Sequence, residues 1–208
     1  MSHRSRGVLI RHQNPTQKEP VVATESSPDD VVDVLVSDHR EIVGLIEQIS
    51  ATRDEEQQRL MRNQLIAELV RHSVAEEMHV YPAMKKHLPN GKEVVEHDKQ
   101  EHSEIERTLK ELEDAQPTDV RFMQLISRLR SLVDDHVRDE ELEQFPQLRG
   151  NLPSSELLSL ADKVRHAKKL APTRPHPNAP NQKLFHQLVG PGVGLVDRLR
   201  DKLSGRSD

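Results

Sequence analysis

Four histidines, His39, His72, His102 and His136, stand where a helix seam ordinarily carries aliphatic side chains. Three of them have a carboxylate one helical turn away: Glu76 after His72, Glu140 after His136, and Asp98 before His102. Residues four apart on an α-helix are about 40° apart in projection, so each pair points the same way. Buried without partners, such groups cost several kcal/mol. A cation cluster removes that cost, because neutral imidazoles and ionised carboxylates become ligands. Mixed nitrogen and oxygen donors without thiolates suit iron, manganese or zinc. Six or more donors exceed the four of a tetrahedral zinc site, so two metal ions are the natural count.

These residues need helices to hold them. Val32, Leu35, His39, Ile42, Ile46 and Ile49 step by three and four, the seam of a bundle helix running from about Asp29 to Ala51. A second helix covers about Asp54 to Lys86, with Leu65, Leu69, His72, Glu76 and then Val80 or His79 on its seam. Leu88-Pro89-Asn90-Gly91 breaks it. The third spans about Lys92 to Ala115, carrying Val95, Asp98, His102, Ile105, Leu109 and Leu112 inward, and the fourth runs from about Thr118 or Asp119 to Leu148 with Phe122, Leu125, Leu129, Leu132, His136 and Glu140. Short loops between long helices make neighbours antiparallel, so the fold class is all-α, an up-down-up-down four-helix bundle with a C-terminal helical extension.

In such a bundle, residues at equal depth lie symmetrically about the loop between their helices. The point midway between His39 and His72 falls beside Arg53-Asp54-Glu55, that between His72 and His102 at His87, and that between His102 and His136 at Asp119. Each is at or next to a loop, so the four histidines share one layer of the core. Around the bundle (29–149), residues 1–28 read as a polar, Pro-containing disordered arm and 150–208 as a helical and Pro-rich extension. That extension comprises a helix from Ser154 to about Leu170, the Pro-rich stretch Ala171 to Pro180, and a short helix from about Leu195 to Leu203.

Composition narrows the function further. Among 208 residues there are 12 His but no Cys and no Trp, with one Tyr, three Phe and a formal charge of −5. The lack of cysteine excludes a disulfide framework, thiolate metal sites, iron–sulfur clusters and thiol nucleophiles. So few aromatics provide no stacking platform for bases, and the net charge argues against a nucleic-acid or anionic-membrane coat. The longest N-terminal apolar run, Val8-Leu9-Ile10, is too short for a secretory signal, and no stretch is long enough to span a membrane. The expectation is a cytoplasmic protein with no nucleic-acid or membrane partner; the sequence does not choose an oligomeric state.

The pattern Ser37-Asp38-His39, His72 to Glu76-Glu77 with Tyr81-Pro82, Glu101-His102, and His136 to Glu140-Glu141 with Phe145-Pro146 resembles the hemerythrin-like (HHE cation-binding) family over about residues 29–149. The Pro-rich tail ending in Asp197-Arg198-Leu199-Arg200-Asp201 resembles extensions on actinobacterial members. The resemblance implies two iron ions in a non-haem centre, bridged by two carboxylates and an oxygen species, that binds or reacts with O2, H2O2 or NO. By that resemblance His39, His72, His102 and His136 are iron ligands and Glu76 is a bridge. The second bridge is Glu140 or Glu141; the seam position favours Glu140. Oxygen carriers of the family have a second histidine four residues before the helix 3 ligand, where this chain has Asp98. His97 lies about 140° around the helix from His102. Either Asp98 replaces the imidazole or one iron has an open position, and both favour redox chemistry over reversible O2 carriage.

Other readings bear on the same residues. A ferritin-like di-iron site needs two Glu-x-x-His motifs and a lone Glu on each remaining helix. Only Glu76-Glu77-Met78-His79 fits, and helix 1 offers His39. Asp38 could orient a ligand imidazole, and Tyr81 is a core residue or a group with a redox or supporting role. Lys163, Arg165, His166, Lys168 and Lys169 form a basic patch that reads as a solvated face. Two functional classes follow: an enzyme, with catalase-like peroxide disproportionation in oxidative or nitrosative stress favoured, or a non-enzymatic O2, NO or iron binding or sensing protein.

Overall fold

The protein is described over residues 28–174 by a computed structural model. The arm before residue 28, the tail from residue 175 and the short helix expected at Leu195–Leu203 lie outside the described residues. Within them the elements are α1 (Val31–Ala51), α2 (Glu55–Ala75), a π-helical turn (Glu76–Val80), α3 (Tyr81–His87), α4 (Gly91–Asp114), α5 (Val120–Asp139), a second π turn (Glu140–Gln144), α6 (Phe145–Asn151) and α7 (Ser154–Leu170). No strand occurs among the described residues.

Local chemistry sets the ends. Asp30 caps α1, accepting from the backbone N–H of Val32 and Asp33, while Asp33 returns a bond to the Asp30 N–H; this reciprocal arrangement satisfies the free donors of a first turn. Asp54 caps α2 through Gln57 N–H. Between α3 and α4, Asn90 sits in the left-handed region with φ of 54°. Gly91 follows because a Cβ there would stand 2.3 Å from the Met84 carbonyl oxygen.

α1, α2, α4 and α5 form the bundle: α1 packs on α2 and α5, and α4 packs on α5 and α2. The expected seams are buried with one shift, since in α5 it is Val133, not Leu132, that turns fully inward. The continuous second and fourth helices expected from periodicity are each interrupted, and proline is the reason. Pro82 and Pro146 lack an N–H and would clash with a carbonyl four residues back in an unbroken helix. The chain opens by one residue ahead of each, so Tyr81 N–H bonds Glu76 C=O and Phe145 N–H bonds Glu140 C=O, five residues back.

Two apolar clusters fill the interior. One, including Ile46, Leu65, Leu109, Phe122 and Leu129, occupies the end where α1 meets α2. The other, including Leu35, Val80, Met84, Val95 and Phe145, is closed over by α3, α6 and α7. Leu157, Leu160, Ala161 and Val164 of α7 belong to that second cluster, so this part of the extension packs against α1, α2 and the first π turn. The histidine layer lies between the two clusters.

Candidate metal centre

The bundle brings six side chains to one point. His39 comes from α1, His72 from the last turn of α2, Glu76 from the start of the first π turn, His102 from α4, His136 from α5 and Glu140 from the start of the second π turn. All six are at most 3% exposed, and Glu76 and Glu140 are 0% exposed. Imidazole nitrogens meet in pairs: His39 Nε2 is 3.2 Å from His72 Nε2, and His102 Nε2 is 3.2 Å from His136 Nε2. The carboxylates lie across the pairs. Glu76 Oε2 is 3.1 Å from His72 Nε2 and 3.4 Å from His102 Nε2. Glu140 Oε2 is 3.3 Å from His39 Nε2 and 3.6 Å from His136 Nε2. Two overlapping donor groups result: His39, His72, Glu76 and Glu140, and His102, His136 and Glu76, with the donor atoms of each within 4.8 Å of one another.

The far nitrogen of every imidazole faces an acid from the neighbouring helix. Asp38 Oδ2 is 3.5 Å from His72 Nδ1, Glu77 Oε1 is 3.2 Å from His102 Nδ1, Glu101 Oε2 is 2.9 Å from His136 Nδ1, and Glu141 Oε1 is 2.9 Å from His39 Nδ1. The four contacts close a ring from α1 to α2 to α4 to α5 and back to α1. An imidazole with its proton on Nδ1 presents the Nε2 lone pair inward, and a carboxylate hydrogen-bonded to Nδ1–H, as at His39, His102 and His136, fixes that orientation and raises ligand basicity. Asp38 and His72 meet at ion-pair distance without a hydrogen bond.

The charges want a cation. Both oxygens of Glu76 and both of Glu140 are buried with no hydrogen-bond partner among the described residues. Burial and the Glu140 charge push Glu76 well above the usual carboxylate range, whereas around Glu140 burial is outweighed by His136 and His39, which hold it down to about 2. Burial lowers the His39 pKa, but Glu140 and Glu141 outweigh it and raise it to about 10; in His72 burial prevails and lowers it to about 4. Orphaned buried oxygens and converging imidazole nitrogens are what metal ions neutralise and bond, so the donor set fits the metal centre anticipated from sequence.

Of the seven site residues expected from sequence, six converge and Asp98 does not join either group. It is buried one turn before His102, with Oδ1 accepting from Gln144 Nε2 at 2.9 Å and Oδ2 unpartnered among the described residues. Burial leads the rise of its pKa to about 6, with Gln144 opposing it. Glu140 lies in the centre, and Glu141 stands outside it on His39. His97 is on the surface beside Glu101 and Asp139, and His79 is half-buried near Lys163 and His166. Sequence reasoning singled out Asp38 but passed over Glu77, Glu101 and Gln144. The doublets Glu76-Glu77 and Glu101-His102 carried the signal, since a residue next to an inward ligand points at an adjacent helix. A cavity of about 20 Å³ between α2 and α4, lined by Leu69, Val70, Val74, Ile105 and Leu109 together with Ser73 and Glu106, has His102 in its wall.

A profile of the hemerythrin HHE cation binding domain matches residues 30–148, the whole bundle. The chain belongs to the hemerythrin HHE family. This hemerythrin HHE protein is 32% identical over 174 residues to an uncharacterised hemerythrin-like protein of Schizosaccharomyces pombe, an alignment covering 83% of this chain and 86% of that one. It is 28% identical over 163 residues to a DNA nickase of a Nostoc species, spanning 78% of this chain but only 43% of that protein. Its fold matches the crystal structure of a hemerythrin HHE cation binding domain-containing protein from Mycobacterium kansasii with a TM-score of 0.59 at 19% identity, covering 82% of this chain and 98% of that one. No helix among the described residues is long and apolar enough to cross a membrane.

Proposed function

We propose that this hemerythrin HHE protein holds two iron ions and acts on a substrate of very few atoms, with disproportionation of hydrogen peroxide as the favoured reaction and the cytoplasm and oxidative or nitrosative stress as its setting. The observation that carries the reading is a fully buried centre of four imidazoles with two carboxylates lying across the pairs. His39 and His72 would hold one ion, His102 and His136 the other, and Glu76 and Glu140 would span both. Iron there would supply one- and two-electron redox chemistry. The protein's own part is to hold four Nε2 atoms inward through the outer acids and to exclude bulk water with the apolar clusters above and below.

Burial also argues against a macromolecular substrate. The activity printed for the Nostoc relative belongs to a protein more than twice the aligned length, and a phosphodiester backbone has no path to donors that are at most 3% exposed. A second reading, reversible binding of O2 or NO without turnover, is favoured by the mostly aliphatic lining of the cavity at His102, which has room for about one water-sized molecule. Metal analysis of purified protein, an absorption spectrum and a pulse of H2O2 test both. About two irons per chain with repeated O2 release supports the enzyme. A stable adduct without turnover supports the binding protein, and an iron-free protein overturns both.

A further inference from the structure

The protein's single tyrosine sits against the metal centre with its hydroxyl over the face of one of the converging imidazoles. Tyr81 opens α3 immediately after the first π turn, is 1% exposed, and stacks on His102 with ring centroids 5.4 Å apart at 25°. Its hydroxyl lies 3.1 Å from His102 Nε2 and 3.4 Å from Nδ1, and it has no other hydrogen-bond partner among the described residues. Glu77 faces Nδ1 at 3.2 Å and keeps a proton there. Stacked in this way, the hydroxyl stands over the face of the imidazole, near both nitrogens, and not on the Nε2 lone pair, which lies in the ring plane. A metal ion held by His102 would take that lone pair, and with Nδ1–H turned to Glu77 the imidazole then offers the hydroxyl no acceptor.

The hydroxyl is then a buried donor with nothing to donate to, a costly state. It cannot turn to solvent, because its ring is packed in the apolar cluster with Val80, Met84 and Val95. No carboxylate oxygen lies within hydrogen-bond distance of it among the described residues, so an acceptor atom of a molecule bound beside His102 would restore its bond. The other half of the centre lacks this device: Phe145 stacks on His39 at 5.8 Å and 10°, in the matching place and without a hydroxyl.

Resting on the di-iron reading above, we propose that Tyr81 donates a hydrogen bond to the exogenous small molecule, which is bound at the His102–His136 position rather than at the His39–His72 position. The ligand class is a diatomic or peroxide with an atom that accepts a hydrogen bond once bound.

Nitric oxide added to the ferrous protein is the probe, read by the N–O stretching frequency in H2O and D2O and by the rate of NO release. The wild-type stretch is expected to shift in D2O. Tyr81→Phe is expected to abolish that shift and release NO about tenfold faster, with metal content unchanged. Because the chain has one tyrosine, replacing all tyrosine with 3,5-difluorotyrosine modifies this site alone and keeps the ring; its more acidic hydroxyl is expected to slow NO release. A nitrosyl whose D2O shift and release rate are the same in Tyr81→Phe overturns the assignment while leaving the metal reading intact. So does a variant that loses iron but leaves the remaining nitrosyl unaltered, since the hydroxyl then serves a carboxylate. A wild-type protein that takes up no iron or forms no nitrosyl overturns the metal reading and this assignment with it.

Discussion

The α1–α2 half and the α4–α5 half of the centre are built to one plan and finished differently. Asp38-His39 answers to Glu101-His102, His72 to His136, Glu76-Glu77 to Glu140-Glu141, and Tyr81-Pro82 to Phe145-Pro146, each with a π turn before its proline. The metal-facing groups keep this correspondence, and the groups one layer out depart from it. Where the first half has Leu35 and Val80, the second has Asp98 and Gln144, hydrogen-bonded to each other in the interior. Phe145 covers His39, whereas Tyr81 reaches His102 with a hydroxyl. Lys168 of α7 pairs with Asp38 at 2.6 Å, bringing a cation to the acid behind His72. The shared plan gathers the donor atoms, and the departures make the two donor groups chemically unequal.

The largest effect comes from attacking the shared plan. Glu140→Ala removes a donor that reaches both pairs, and metal content is expected to fall from about two ions per chain to fewer than one, as read by elemental analysis. Only a group that serves both positions can do this; His136→Ala is expected to empty one position and leave the other. A Glu140→Ala protein that retains both ions would break the correspondence between the halves.

Protons compete with the metal at the same atoms. In the metal-free protein His39 is held up at about 10, above its ordinary 6.5. Its contribution to stability is full below about pH 6.5 and is lost as pH rises toward 10, because the unfolded chain releases its proton first. Glu140, held down to about 2, contributes above its ordinary 4.5 and fails as pH falls through about 2. Metal must displace the His39 proton, so loading releases protons and tightens with pH. Thermal melts of chelator-treated and loaded protein between pH 6 and 9 are expected to diverge progressively, the loaded form gaining. Parallel curves would show that His39 is neutral before loading.

A subtler test makes the halves alike. Asp98→Leu with Gln144→Val copies Leu35 and Val80 into the second half and removes two unpartnered buried oxygens. The double variant is expected to be about 1–2 kcal/mol more stable in its metal-free form, by denaturant titration, while Asp98→Leu alone leaves Gln144 unpaired and is less stable by about as much. If the double variant is destabilised instead, the polar pair has a structural partner beyond those seen. The smallest effect is expected from Lys168→Met, which detaches α7 from Asp38 and lowers the melting temperature by about 2–4 °C with metal content unchanged.

Much of this was legible in the chain because the bundle depends on spacing. A three-and-four step of aliphatic residues forces helices, and histidines interrupting that step at matching depths force a polar layer; both follow from which face is buried. The π turns were hidden because proline states only that a regular helix cannot continue, and a kink, a break or one added residue would each satisfy it. Glu77, Glu101 and Gln144 were hidden because glutamate and glutamine are common on solvated helix faces. Only packing against the next helix distinguishes these three from their exposed neighbours. Asp98 is a different case: its seam position is buried as the spacing requires, and a glutamine one layer above the imidazoles, invisible to periodicity, is its partner.

The ring of outer acids has a kinetic consequence. Because each helix supplies both a ligand and the acid that steadies the next helix's ligand, none can swing out alone without loosening two positions at once. Ion release then requires a collective opening of the bundle, so the exchange rate of bound metal should follow the rate of global unfolding rather than local fraying. In such a protein the ion acts as a lock on the tertiary structure, and its residence time measures how often the whole bundle opens.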